Sequence, residues 1–166
     1  MRWLIDGYNV IRRDPDLRAH EAAGLQAGRA ALLALLARIA ARLSDDFTVV
    51  FDGARRTGGA PSAGRVQVLF SRPPETADDV LRRLASTLRE GAVVVTSDRT
   101  VRDSARRAGA VVLTAEAFVE AATASAEAPE EADVEQHDRG RRSGPSRRPS
   151  REARNAARAL RRLRRR

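Results

Sequence analysis

The chain has 166 residues, a length that suits one domain with a sizeable hydrophobic core. It contains no cysteine, which excludes disulfide bonds and thiolate metal sites and fits a reducing compartment. The formal net charge is +9, with arginine as the only strongly basic residue type, and residues 139–166 contain 13 arginines against one acid.

The first elements alternate between strand and helix patterns. Residues 2–5 (RWLI) form a short apolar run typical of a buried strand, which ends at Asp6. Apolar residues at helical spacing predict a helix over 29–43. Its apolar stretch is too short to span a bilayer, and no signal peptide is evident, so we expect a cytoplasmic protein. Residues 48–51 (TVVF) predict a second strand, which ends at Asp52.

The rest of the first 126 residues continues this alternation. It predicts strands over 65–70, 92–96 and 110–114, a helix over 76–88, a short helix after Asp98 and a final helix from about residue 115. Such βαβ alternation predicts an α/β fold with a mainly parallel sheet of about five strands, flanked by helices. Right-handed crossovers would place the carboxyl ends of the strands along one edge.

Three of the predicted strands end at or next to an aspartate: Asp6, Asp52 and Asp98. A carboxylate is costly inside a core, but at the carboxyl end of a parallel strand it can face a crevice. Each acid alone has a structural explanation. Asp6 could start a turn at 7–9, Asp98 could cap a helix and Asp52 could be a turn residue before Gly53.

The helix predicted over 76–88 offers two more acids. With its leucines inward, Asp79 points to solvent, where it suits a capping box with Thr76. Asp78 lies on the flank of the buried stripe and could join the acids at the sheet edge. Carboxylates from separate parts of a chain are the ligands that Mg²⁺ and Mn²⁺ prefer. Asp6, Asp78 and Asp98 together therefore predict a metal site, whereas Asp103, paired with Thr100, favours a structural role.

Other chemistries have weaker support. His20 falls in a predicted polar loop and His137 in the polar tail, so no histidine base or zinc site is evident. Ser97 lacks a base partner for a nucleophilic triad. The Gly-rich stretch 55–64 lacks phosphate-loop motifs. It is either a flexible connector or a flap in which Arg55 and Arg56 contact phosphates.

The composition changes near residue 127. We expect a folded domain over 1–126 and a disordered linker over 127–150, first acidic and then rich in Arg, Ser and Pro. Residues 151–166 form a basic tail, which could become helical on binding a partner, with Ala153, Ala156, Leu160 and Leu163 on one face. Dense arginine favours salt-dependent binding to nucleic acid. A solvated, solubilising tail is the alternative.

The motifs LIDGYNVI, VVFDG, ETADD and VVTSD, in this order, resemble the NYN domains of the PIN-like nuclease superfamily, and within it the YacP-like ribonucleases. The resemblance covers about residues 1–120. It implies a Rossmann-like α/β domain that binds Mg²⁺ or Mn²⁺ and cleaves RNA, in some members on translating ribosomes. By motif, Asp6, Asp78 and Asp98 match the metal-binding acids, and Asn9 matches a polar position that could hold a metal-bound water or a phosphate. Substrate contacts are predicted for Asn9, Arg55, Arg56 and Arg99.

The leading hypothesis is a metal-dependent endoribonuclease that acts on RNA, with the ribosome as a further candidate partner. The alternative is a non-catalytic RNA- or ribosome-binding protein that keeps the fold. The acids at all three motif positions favour the enzyme, because a binder has no need to gather negative charge where phosphate must lie. A Rossmann-like phosphatase fits less well, since no D-x-D pair follows the first strand.

Overall fold

The computed structural model describes residues 1–53, 64–127 and 150–164. Within these ranges, five strands form one fully parallel sheet in the order β3-β2-β1-β4-β5. The strands are β1 (Arg2–Asp6), β2 (Asp46–Phe51), β3 (Val66–Phe70), β4 (Ala92–Val95) and β5 (Val111–Leu113). The predicted α/β fold with a parallel sheet of about five strands is confirmed.

Helices cover both faces of the sheet. They are α1 (Gly7–Arg13), α2 (Pro15–Ala22), α3 (Leu25–Arg42), α4 (Ala77–Leu88), α5 (Arg99–Arg107), α6 (Ala115–Glu127) and α7 (Arg151–Arg164), with a 3₁₀ turn at Arg89–Gly91. In the described parts of the chain, no helix has the length and apolarity needed to cross a membrane.

Alternation along the strands divides the core into two halves. On β1, Trp3 and Ile5 point to one face, where they pack with residues of α1, α2, α3, α6 and α7. Leu4 points to the other face, where α4 and α5 supply Leu81 and Val101. Because both faces are covered, β1, β2, β4 and β5 are buried along almost their whole length, whereas the edge strand β3 is only partly buried.

Two short helices replace a predicted turn and loop. Residues 7–9 begin α1 instead of forming a turn, and His20 lies in α2 instead of a polar loop. Both helices are short, with little amphipathic pattern for periodicity to detect. A local signal was nonetheless present: Asp14 accepts from the Leu17 N–H at 2.8 Å as the cap of α2, and Pro15 occupies its first turn.

Helix α3 begins at Leu25, before the predicted start at Arg29. Gly28 lies inside it, where a glycine would ordinarily weaken a helix. Here it allows close packing, because a Cβ on Gly28 would lie 3.0 Å from the Cβ of Glu21 on α2.

The prediction that the basic tail orders only on a partner is wrong for residues 151–164. They form α7, which packs on α6 and β5 and buries Ala159 and Leu163 completely. Of the predicted apolar face, Leu163 is buried, Ala156 and Leu160 are partly buried, and Ala153 is exposed. Residues 128–149, which make up most of the predicted linker, lie outside the described residues, and the boundary at residue 126 stays a prediction.

A buried carboxylate anchors α7. Asp45, just before β2, is 1% exposed and accepts hydrogen bonds from the Met1 ammonium at 2.9 Å and Trp3 Nε1 at 3.2 Å. Arg162 of α7 donates to both of its oxygens, at 2.8 and 3.2 Å. Burial by itself would raise the pKa of Asp45, but these hydrogen bonds and the two positive charges lower it below the usual value.

We expect Asp45→Ala to lower the free energy of unfolding by about 1–3 kcal/mol, because it leaves the buried Trp3 indole N–H and two partly exposed cations without their acceptor. Since the pKa of Asp45 is lowered on folding, its contribution is present above the unfolded value of 3.8 and is lost as the pH falls below it. Urea unfolding, followed by the fluorescence of the single tryptophan, Trp3, measures both effects.

The control is Asp46→Ala, at the exposed neighbouring acid, for which we expect a change within about 0.5 kcal/mol. Equal destabilisation by the two substitutions would contradict an anchoring role for Asp45.

Candidate active site

Asp6 lies at the carboxyl end of the central strand, β1, and is 9% exposed. Its Oδ1 caps α1 by accepting from the Asn9 N–H at 3.2 Å, and its Oδ2 accepts from the Thr96 hydroxyl at 2.9 Å. Gly7 is required here, because a Cβ on it would lie 2.2 Å from the ring of Phe51. The close approach of α1 to β2 thus fixes where the Asp6 carboxylate sits.

The loop after β4 is tied to the same point. The Thr96 hydroxyl accepts from the Asp98 N–H at 3.1 Å, and the Asn9 side-chain oxygen accepts from the Ser97 N–H at 2.8 Å. Asp98 caps α5 by accepting from the Val101 N–H at 2.9 Å. The helix-cap explanation of Asp98 is therefore correct, and it coexists with a position beside Asp6.

Asp52 holds the start of α4 in place. It follows β2 and accepts from the Ala77 N–H at 2.6 Å and from the Ser71 hydroxyl at 3.0 Å. Ala77 is the first residue of α4, so this contact fixes the position of the next residue, Asp78.

The two acids of α4 separate as predicted from the helical wheel. Thr76 and Asp79 form a capping box, and Asp79 also pairs with Arg82 at 3.0 Å. These contacts account for Asp79 structurally. Asp78, with Arg82 at 3.7 Å, instead borders the cavity between the strand ends.

One cavity of about 520 Å³ at the carboxyl edge brings the site together. It contains the three predicted acids and Asn9, and it adds Asp52, whose role the sequence left open. Its lining residues are Asp6, Tyr8, Asn9, Arg12, Arg13, Asp52, Asp78 and Asp98. Sequence reasoning missed Tyr8, Arg12 and Arg13, which belong to the unpredicted helix α1. A signal for Asp52 existed, since an Asp-Gly pair occurs at the carboxyl end of both β1 and β2.

The acids influence one another electrostatically. Burial raises the pKa of Asp6 to about 6; the hydrogen bonds from Thr96 and Asn9 oppose this shift, and the charges of Asp78 and Asp52 add to it. Burial, followed by the charge of Asp98, raises the pKa of Asp78, against the opposing charge of Arg82. A cation bound in this cavity would offset the burial and mutual repulsion of the carboxylates, and so would stabilise their charged forms.

Of the other predicted substrate contacts, the structure describes only Arg99, and it lies away from this cavity. The Arg99 side chain is 92% exposed, lies 3.7 Å from Asp103 and does not line the cavity. Asp103 also pairs with Arg106 at 3.1 Å, which is a structural role, but the cap of this helix is Asp98 and not the predicted pair of Thr100 and Asp103. Arg55 and Arg56 lie outside the described residues.

The donor set suits a hard divalent cation. Among residues 1–53, 64–127 and 150–164, no three His, Cys, Asp or Glu side chains are placed to hold a metal ion as they stand. Several of these carboxylates instead accept hydrogen bonds from the protein. Mg²⁺, however, commonly uses one or two carboxylates, with waters and substrate phosphates as its remaining ligands. Carboxylates around an open cavity fit that requirement.

The sequence pattern of the YacP-like NYN domain matches residues 3–165, nearly the whole chain and including α7. The chain belongs to the YacP-like NYN domain family. Among curated relatives, YacP of Bacillus subtilis (strain 168) is 33% identical over 102 residues, which are 58% of this chain and 60% of YacP. The similarity thus spans less than two thirds of that relative.

Solved structures agree with this assignment. Two crystal structures of Rae1 (YacP) from Bacillus subtilis are similar to this chain, each over 74% of both chains. One is 29% identical in sequence with a TM-score of 0.64, and the other, of a mutant, is 27% identical with a TM-score of 0.62. The family resemblance inferred from the motifs is confirmed.

We expect Asp6→Asn to stabilise the metal-free protein at neutral pH. The pKa of Asp6 is higher in the folded state, at about 6, than its ordinary 3.8. Stability therefore falls as the pH rises between these values, by up to about 3 kcal/mol. Urea unfolding in EDTA should show an advantage for Asp6→Asn at about pH 7.5 that shrinks towards pH 4. A difference that does not vary with pH would contradict this interpretation of Asp6.

Proposed function

We propose that the protein is a metal-dependent endoribonuclease that hydrolyses RNA phosphodiester bonds. The observation that supports this most is the meeting of Asp6, Asp52, Asp78 and Asp98 in one cavity, although they come from separate elements. Membership of the NYN family independently supports nuclease chemistry.

Each acid has a distinct part in this proposal. Asp6, Asp78 and Asp98 would hold Mg²⁺ or Mn²⁺, and Asp52 would keep Asp78 in position through the start of α4. A bound divalent cation lowers the pKa of a coordinated water and stabilises charge on the scissile phosphate. Thr96 and Asn9 tie the loop after β4, which leads to Asp98, to the end of β1, so that Asp6 and Asp98 are held at the same cavity.

The proposed reaction is hydrolysis. The oxygen of water bonds to phosphorus, the bond from phosphorus to the 3′ oxygen breaks, and the products carry a 5′-phosphate and a 3′-hydroxyl. Arg12 and Arg13, which also line the cavity, would counter the repulsion between the RNA backbone and the acids. The proposed substrates are free single-stranded RNA and messenger RNA on the ribosome.

Asp78→Asn tests the proposal most directly. Asp78 borders the cavity, so we expect its substitution to reduce metal-dependent cleavage by about 100-fold or more. Asp79→Asn, one residue further along the same helix, is the matched control and should keep most of the activity, because Asp79 serves the helix cap. Cleavage of single-stranded RNA and of ribosome-bound mRNA is measured with Mn²⁺, Mg²⁺ or EDTA.

The outcomes separate the enzyme from the alternative. Cleavage that needs metal and is lost only in Asp78→Asn supports the nuclease. Binding of RNA or ribosomes by the wild type without cleavage of either substrate favours the non-catalytic binder. Equal loss in both variants, with unchanged stability, would contradict the assignment of Asp78 to the site and of Asp79 to the cap.

A further inference from the structure

Two arginines share one aromatic ring beside the acid cavity. The Cζ atoms of Arg12 and Arg29 lie 5.5 and 5.4 Å from the centroid of the Tyr8 ring. Arg12 and Tyr8 line the cavity, while Arg29 reaches the same ring from α3. Cation–π attraction holds each guanidinium at the ring, although the two positive charges repel one another.

Arg29 is held more firmly than Arg12. It is half-buried, its Cζ also lies 5.5 Å from the Phe51 centroid and 5.2 Å from that of Phe70, and its Nε donates to the Tyr8 hydroxyl at 2.8 Å. A terminal nitrogen of the guanidinium donates to the same hydroxyl. A guanidinium has five N–H donors, and within the described structure the other three have no protein acceptor.

Neither arginine has a carboxylate partner among the described residues. Arg13, their neighbour at the cavity, does have one, since it lies 3.4 Å from Glu116. Arg82 beside Asp78 is likewise paired, with Asp79 at 3.0 Å. The sequence stretch 54–63, which follows the Phe51 strand, contains no acidic residue that could serve. Two guanidinium groups that contact one ring, neither of them paired with a carboxylate among the described residues, form a site that a bound anion would stabilise.

The neighbouring cavity identifies the class of anion. Guanidinium groups bind phosphate through paired N–H donors, and a rigidly held one does so with little loss of side-chain entropy. A phosphodiester strand that enters the acid cavity needs compensation beside the four aspartates. Arg12 borders that cavity directly, and Arg29 lies behind it through Tyr8.

We propose that Arg12 and Arg29, positioned by Tyr8, bind a backbone phosphate of the RNA strand next to the phosphate that is cleaved. This inference rests on the proposed nuclease function and specifies how the substrate is held. The site is selective for a strand that continues past the acids, so it favours cleavage within an RNA over hydrolysis of a terminal phosphate.

The test measures binding separately from cleavage. Fluorescence anisotropy with a labelled single-stranded RNA, in EDTA, gives affinities for the full-length wild type, Arg12→Gln, Arg29→Gln and Arg29→Lys. Arg38→Gln is the control: it makes the same charge change on α3, half a turn round the helix from Arg29. Titrations at about 50 to 200 mM salt give the dependence of affinity on salt.

We expect at least fivefold weaker binding for Arg12→Gln and Arg29→Gln, and a salt slope smaller by about 0.7 for a lost phosphate contact. Arg29→Lys should fall between these variants and the wild type, because it keeps the charge but not the fork of donors. Arg38→Gln should bind as the wild type does. If Arg29→Gln does not fold, Arg12→Gln and Arg29→Lys provide the same comparison.

Wild-type affinity and slope in Arg12→Gln and Arg29→Lys would overturn the inference, even if the protein cleaves RNA. So would an equal loss in Arg38→Gln, which would indicate a general effect of charge. Selective loss of binding in a protein that cleaves no RNA would support the arginine site and contradict the nuclease. The two proposals can therefore fail independently.

Discussion

The hydrogen bond from the Thr96 hydroxyl to the Asp6 carboxylate joins the ends of the neighbouring strands β1 and β4, and the placement of Asp98 beside this edge depends on it. Strands β2 and β4 lie on opposite sides of β1 in the sheet. The chain passes from β1 to β2 and β3 on one side and only then crosses to β4 on the other side. In open parallel sheets, the crevice for a ligand opens where the connections diverge in this way. The Thr96 hydroxyl also accepts a hydrogen bond from the Asp98 N–H. One hydroxyl therefore links Asp6 and Asp98, which follow strands that are distant in sequence.

The same arrangement is costly for folding. Asp6 is almost fully buried, and Asp52 and Asp78 lie close enough to add to the increase in its pKa. A protein selected for stability alone would replace such a carboxylate with an apolar or neutral residue. The structure lowers the cost with backbone N–H donors at the starts of α1, α4 and α5, which also orient the carboxylates. The cluster of carboxylates thus lowers the folding stability while it holds negative charge in a fixed arrangement, as is typical of functional sites.

The sequence predicted most of the fold and much of the site because both follow from local pattern. Buried β-branched strands ending in aspartate locate the sheet edge, and the helical wheel separates Asp78 from Asp79. What it could not predict depends on contacts between distant residues. Asp52 acts on α4 through a residue 25 positions away, and α7 docks through Arg162, 117 positions from Asp45. The contact of Arg29 with Tyr8 could not be predicted either, because α1, which contains Tyr8, and α2, which follows it in the chain, are too short to give a clear helical pattern.

The anchoring of α7 also gives the described part of the molecule an electrical polarity. The helix is held by Asp45 before β2, by Glu90 before β4 and by Arg106 at the end of α5, all at the amino edge of the sheet. Its arginines therefore gather at the end opposite the four aspartates. A charge distribution of this kind is a molecular dipole, and it acts at long range on any polyanion.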